Sequence, residues 1–85
     1  MYYTYVLYSP TFDKIYVGQT EDIYRRLLTH NSDQNDGWTA SFKPWKLLHL
    51  EGFETRAQAM KREKQLKSFQ GRAFIRSLTE QKMNP

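Results

Sequence analysis

The sequence predicts an α+β fold: a small three-stranded antiparallel sheet flanked by helices, in the order β β α β α α. Three observations predict it. Two β-prone runs, Tyr2 to Ser9 and Lys14 to Gln19, are separated by the turn residues Pro10-Thr11-Phe12-Asp13. Apolar residues recur at helical spacing in three later stretches. Between the first and second of these, Trp45 to Phe53 resumes strand character. Eighty-five residues are one domain's worth, so residues 1–85 are read as a single domain with its core over about residues 2–79. Without a cysteine, no disulfide or thiolate metal site supplements that core, and the 5 Phe, 2 Trp and 6 Tyr must supply the packing.

The first two runs read as a hairpin. With residues 10–13 as its loop, Ser9 pairs with Lys14, Leu7 with Tyr16 and Tyr5 with Gly18. The period of two puts Tyr5 and Tyr16 on one face as diagonal neighbours, roughly 7 to 8 Å apart at Cα. Val6, Ile15 and Val17 share the other face. Thr20 is the expected N-cap of a helix over about 21–30, with Glu21 and Asp22 at its positive end and Ile23, Leu27 and Leu28 at helical spacing. Asn31 to Lys43 is polar and turn-rich, a surface loop with Trp38 and Phe42 as anchors. After the Trp45 to Phe53 strand, Thr55 and Gln58 match a capping box. They open a helix to about Lys67 whose stripe holds Ala59, Met60 and Leu66. A last helix, Gly71 to Thr79, should bury Phe74, Ile75 and Leu78. The pattern leaves the strand order within the sheet open.

Charge is unevenly spread. Residues 1–55 hold five Lys/Arg against seven Asp/Glu, while residues 56–85 hold eight against two, so the basic surface lies in the last third. Such a polarity fits a polyanion such as nucleic acid, and equally a solvated helix face. No stretch approaches the roughly 20 apolar residues of a membrane helix, and the start lacks the basic region of a signal peptide. A cytoplasmic protein is expected.

Three sets of residues could carry chemistry. Glu63 falls on the stripe of Ala59, Met60 and Leu66 and so should face the sheet, where a carboxylate needs either an ion pair with a nearby arginine or a metal. Arg26 and His30, four apart, project from one side of the first helix. A guanidinium offers a donor fork matched to phosphate and an imidazole can move a proton, although such a pair also suits a solvated rim. Tyr5 and Tyr16 are either half-buried packing or, beside a cation, a source of a phenolic base.

These residues together resemble a known family. Thr4-Tyr5-Val6, nine residues, Tyr16-Val17-Gly18, then Arg26, His30 and the later helical Glu63 are similar to the GIY-YIG nuclease domain. Arg62-Glu63-Lys64-Gln65-Leu66-Lys67, and His30-Asn31 before a polar loop ending near Thr39 and Pro44, look most like its small stand-alone bacterial members. The resemblance runs from about Tyr2 to Leu78. It implies metal-dependent hydrolysis of a nucleic-acid phosphodiester, of DNA more than RNA, and a place in DNA repair. Glu63 would hold one Mg²⁺ or Mn²⁺, and Tyr16 would activate or orient the attacking water. Tyr5 would hydrogen-bond on the nucleophile's side, Arg26 would bind the scissile phosphate, and His30 would assist proton transfer or orient a tyrosine. Gly18 would permit close backbone approach. Arg62, Lys64, Lys67 and Arg72 are the expected contacts to the nucleic-acid backbone. Thr4 stands at the first glycine of the family's name motif, Val17 at its second isoleucine, and Gln19 where relatives in nucleotide excision repair have lysine. Relatives often take target choice from attached domains, so a protein partner could supply specificity here. The alternatives are a non-catalytic nucleic-acid-binding module of the same fold and a protein-interaction domain using Trp38 and Phe42.

Overall fold

The computed structural model describes residues 1–83. Its elements are β1 (Tyr2–Ser9), β2 (Lys14–Thr20), α1 (Ile23–Asn31), a short 3-10 helix (Trp38–Phe42), β3 (Lys46–Phe53), α2 (Arg56–Leu66) and α3 (Phe69–Met83). The strands form one antiparallel sheet in the order β2-β1-β3. β1 takes the centre, and its consecutive residues Thr4, Tyr5, Val6 and Leu7 are all buried because the sheet is covered on both faces.

The hairpin adopts the expected register, with Ser9 opposite Lys14, Leu7 opposite Tyr16 and Tyr5 opposite Gly18. Asp13 closes it at φ 52°, a left-handed conformation that aspartate tolerates. The side-chain period of two then divides the core. Val6, Val17 and Leu48 meet Leu66 of α2 and Ile75 of α3 on one face, with Ile15 packed against them. Tyr5, Leu7, Tyr16 and Trp45 meet Ile23 and Leu27 of α1, and Phe42, on the other.

Both strands of the capping box are formed: Thr55 Oγ1 accepts from the Gln58 N–H and Gln58 Oε1 accepts from the Thr55 N–H. A second tie fastens α2 to the sheet, where buried Thr4 Oγ1 donates to the Ala59 carbonyl at 2.7 Å. Gly71 lets α3 turn tightly off α2, since a Cβ there would run into the backbone of Gln65 and Leu66. No helix among the described residues is long and apolar enough to cross a membrane.

Several local expectations are corrected. α1 starts later than expected and its N-cap is Asp22, whose carboxylate accepts from Arg25 N–H at 3.0 Å. Thr20 is still in the β2 ladder, opposite Tyr3, and uses its hydroxyl to accept from Asp22 N–H. β3 starts at Lys46, because the backbone N–H and carbonyl of Trp45 are taken by the side-chain amide of Asn31 at 2.6 and 3.0 Å. The last helix is longer than expected at both ends. Met60 and Phe74 are exposed, at 52% and 40%, because the sheet is only three strands wide and the stripes of α2 and α3 that it covers are correspondingly narrow.

Candidate active site

The site begins with the hairpin. Its register brings the rings of Tyr5 and Tyr16 to 6.2 Å, with Tyr5 fully buried in the central strand and Tyr16 on the edge strand beside it. Gly18, opposite Tyr5, is what allows the Tyr5 phenol to lie over β2: a Cβ there would sit 2.6 Å from Tyr5 Oη and 2.7 Å from Tyr5 Cζ. Gly18→Ala should therefore displace the phenol, lowering stability by about 1–3 kcal/mol as an overpacked site does. Chemical denaturation checks this, and wild-type stability with an unmoved Tyr5 would contradict the close approach.

α1 delivers the next two residues. Arg26 Nε donates to Tyr5 Oη at 3.3 Å, and one turn on His30 Nε2 lies 3.1 Å from the same oxygen. The His30 ring also packs 4.6 Å from that of Tyr16. Burial pushes the Tyr5 phenol up to about 12, against the opposing hydrogen bond from Arg26, so Tyr5 stays protonated. Burial, and then the Arg26 charge, hold His30 below the usual imidazole range and keep it neutral. Hydrogen bonding to Tyr5, and more weakly to Tyr16, holds the Arg26 guanidinium above its ordinary value, as a permanent cation between two phenols.

Tyr5, Tyr16, Arg26 and His30 thus form one cluster. Glu63 stands apart on α2. Its carboxylate is half-buried, at 23% exposure, and accepts from Lys67 Nζ at 2.6 Å, a lysine partner where an arginine or a metal was expected. Its link to the cluster is electrostatic, for its charge adds to the upward push on Tyr5. The Thr4–Ala59 bond joins the two: in a regular helix the Ala59 carbonyl accepts the Glu63 N–H, so the strand residue beside Tyr5 is tied to the turn that carries Glu63.

Tyr16 also lines a groove of about 450 Å³ between β2 and the two C-terminal helices, together with Trp38, Lys14, Lys67, Arg72, Arg76 and Asp13. Two of the expected backbone contacts, Lys67 and Arg72, are there. Arg62 and Lys64 instead border a separate hollow at the α2–α3 corner. Arg62 is further occupied by Glu51, donating from Nε to both carboxylate oxygens at 3.0 and 3.1 Å.

Reading the sequence missed Thr39 and Asn35. Thr39 is buried in the 3-10 helix, with Oγ1 3.1 Å from His30 Nδ1, and Asn35 Nδ2 donates to that same Oγ1 at 2.7 Å. The one available cue was Asn35 two residues before Gly37, the spacing at which an asparagine carbonyl accepts a backbone N–H, as it does here at 3.0 Å. Trp38 anchors the segment by stacking near Phe42 and Trp45, at 4.8 and 6.0 Å, while remaining 54% exposed.

The sequence model of the GIY-YIG catalytic domain matches residues 1–74. The chain belongs to the GIY-YIG family. Its relatives include a UPF0213 protein of Cupriavidus necator, 40% identical over 80 residues that cover 91% of this chain and 86% of that one. A UPF0213 protein of Staphylococcus saprophyticus is 32% identical, over 78% of this chain and 80% of its own. The solution NMR structure of a UPF0213 protein from Bacillus halodurans superposes with a TM-score of 0.53 at 28% identity, covering 92% of this chain and 85% of that chain. GIY-YIG proteins are in general nucleases. In this GIY-YIG chain the two halves of the name motif are the paired strands β1 and β2, and Thr4, at the motif's first glycine, spends its hydroxyl on α2.

Proposed function

We propose that the chain is a metal-dependent endonuclease that hydrolyses phosphodiester bonds, those of DNA in preference to RNA. The observation that carries this reading is the packing of Tyr5, Tyr16, Arg26 and His30 into one cluster, of which Tyr16 also lines a groove that holds four cations. Phosphodiester hydrolysis is mostly positioning and charge stabilisation, and each part has a residue suited to it. Arg26, charged and exposed, meets the scissile phosphate. Tyr16 orients the attacking water and, acting as the phenolate beside the Arg26 cation, takes its proton. Tyr5 and His30, both neutral and buried, hold Arg26 in place.

Glu63 is the hard oxygen donor that a Mg²⁺ or Mn²⁺ ion prefers and would hold the ion in place of its present partner, the Lys67 ammonium. Held by this carboxylate, the ion would supply charge neutralisation at the phosphate and the leaving oxygen. Lys67, Arg72, Arg76 and Lys14 line the path of the nucleic-acid backbone.

The deciding experiment incubates the protein with single-stranded, duplex, flap and branched DNA and with Mg²⁺, Mn²⁺ or a chelator. Cleavage that needs the metal is expected, together with affinity that falls steeply with salt. Salt-dependent binding without cleavage of any substrate would make the chain a binding module.

Arg26→Ala should lower turnover by about 10²- to 10³-fold with little change in affinity, as expected for a group whose interaction strengthens in the transition state. Its neighbour Arg25 projects about 100° away around the helix, so Arg25→Ala should be mild. Single-turnover kinetics and binding isotherms separate the cases, and a loss confined to affinity would reassign Arg26 as a phosphate anchor.

A further inference from the structure

The hydrogen bonds around His30 determine where its proton sits. Tyr5 Oη accepts from Arg26 Nε–H, and a guanidinium has no acceptor to offer in return. The phenol's own proton must go elsewhere, and Tyr5 is fully buried, where an unpaired O–H is costly. His30 Nε2, at 3.1 Å, is the partner that can take it, provided that nitrogen carries no proton. Neutral His30 is then protonated at Nδ1, 3.1 Å from Thr39 Oγ1.

Thr39 is prepared to accept there. The Asn35 amide is oriented by two bonds, Oδ1 accepting from Gly37 N–H and Nδ2 donating to the His30 carbonyl. The same Nδ2 donates to Thr39 Oγ1 at 2.7 Å, and a hydroxyl oxygen has a second lone pair for His30 Nδ1–H. Trp45 Nε1 fixes the Thr39 backbone by donating to its carbonyl at 2.8 Å.

We infer that Thr39 is a positioning residue: it holds His30 as the Nδ1–H tautomer, which turns the Tyr5 proton toward His30 and the Tyr5 lone pair toward Arg26. Free histidine in water favours the opposite tautomer, so the selection is made by Tyr5 at one ring nitrogen and by Thr39 at the other. Its consequence is a division of labour between the tyrosines. Tyr5 is committed at both proton and lone pair and serves to aim Arg26, whose remaining nitrogens serve Tyr16 and the substrate. The proton-accepting role is left to Tyr16 as its phenolate. This consequence for turnover rests on the nuclease reading, whereas the tautomer does not.

The test is nitrogen NMR of the full chain labelled at histidine. In the wild type, His30 should show a protonated Nδ1 and a bare Nε2, and the reverse pattern would overturn the inference. Thr39→Val, which removes the hydroxyl and keeps the shape, should shift His30 toward the Nε2–H form and lower kcat by about tenfold or more with KM unchanged. Thr39→Ser should restore both. A Thr39→Val chain that loses thermal stability while keeping the wild-type tautomer and kcat would overturn the positioning role. If Thr39→Val does not fold, the wild-type spectrum and Thr39→Ser still decide it. If the wild type cleaves nothing, the nuclease reading falls and the spectrum still decides the tautomer.

Discussion

Glu63→Gln should abolish cleavage, lowering turnover by about 10³-fold or more, because an amide of the same shape would not hold the divalent cation of the proposed mechanism, which would supply several kcal/mol of transition-state stabilisation. The fold should survive. Among the described residues the ion pair lost is the one with Lys67, an i,i+4 contact whose lysine is 51% exposed, and such pairs contribute about 0–1 kcal/mol. Buried Ala59 and Leu66, which seat α2 on the sheet, are untouched. Mn²⁺ titration by calorimetry should lose its heat in the variant, and denaturation curves should nearly coincide. Turnover equal to wild type would remove Glu63 from the site. It would leave its carboxylate as the i,i+4 partner of Lys67.

Tyr16→Phe should remove most of the activity at little cost in stability. The ring contacts that hold residue 16, at 4.6 Å to His30 and 6.4 Å edge-on to Trp45, are apolar and remain in phenylalanine. What goes is one oxygen and its weaker hydrogen bond to Arg26. Tyr5→Phe behaves differently, because Tyr5 Oη is shared between Arg26 Nε and His30 Nε2 in a buried setting. Its removal strands both partners and should lower stability by about 1–3 kcal/mol, with a loss of turnover that follows from a loosened Arg26. Denaturation and single-turnover cleavage of the two variants therefore form a crossed pattern. Near-normal turnover in both would mean that the rings serve only as packing.

The hairpin and its register were legible because they rest on local rules. A four-residue loop between β-prone runs determines which residues pair, and a period of two then determines that Tyr5 and Tyr16 share a face. The capping box at Thr55 was legible for the same reason, since its donors and acceptors lie three residues apart. Arg26 and His30 followed from the pitch of a single helix. The motif spacing that identifies the family joins these short-range features, so it too could be read along the chain.

What the chain could not show in one dimension were bonds between elements distant in sequence. The central place of β1 depends on β3 pairing with its free edge, which no pattern specifies. The start of β3 was lost by one residue because the Asn31 side chain replaces a strand at Trp45. Local composition marked Asn31 to Lys43 as a polar loop, yet burial of Thr39 against His30 makes it part of the site. The sequence alone thus determined which groups are available and which face each element presents. Tertiary structure decided their states, because burial raises Tyr5 and keeps His30 neutral through desolvation and partners that only the folded chain brings within hydrogen-bond range.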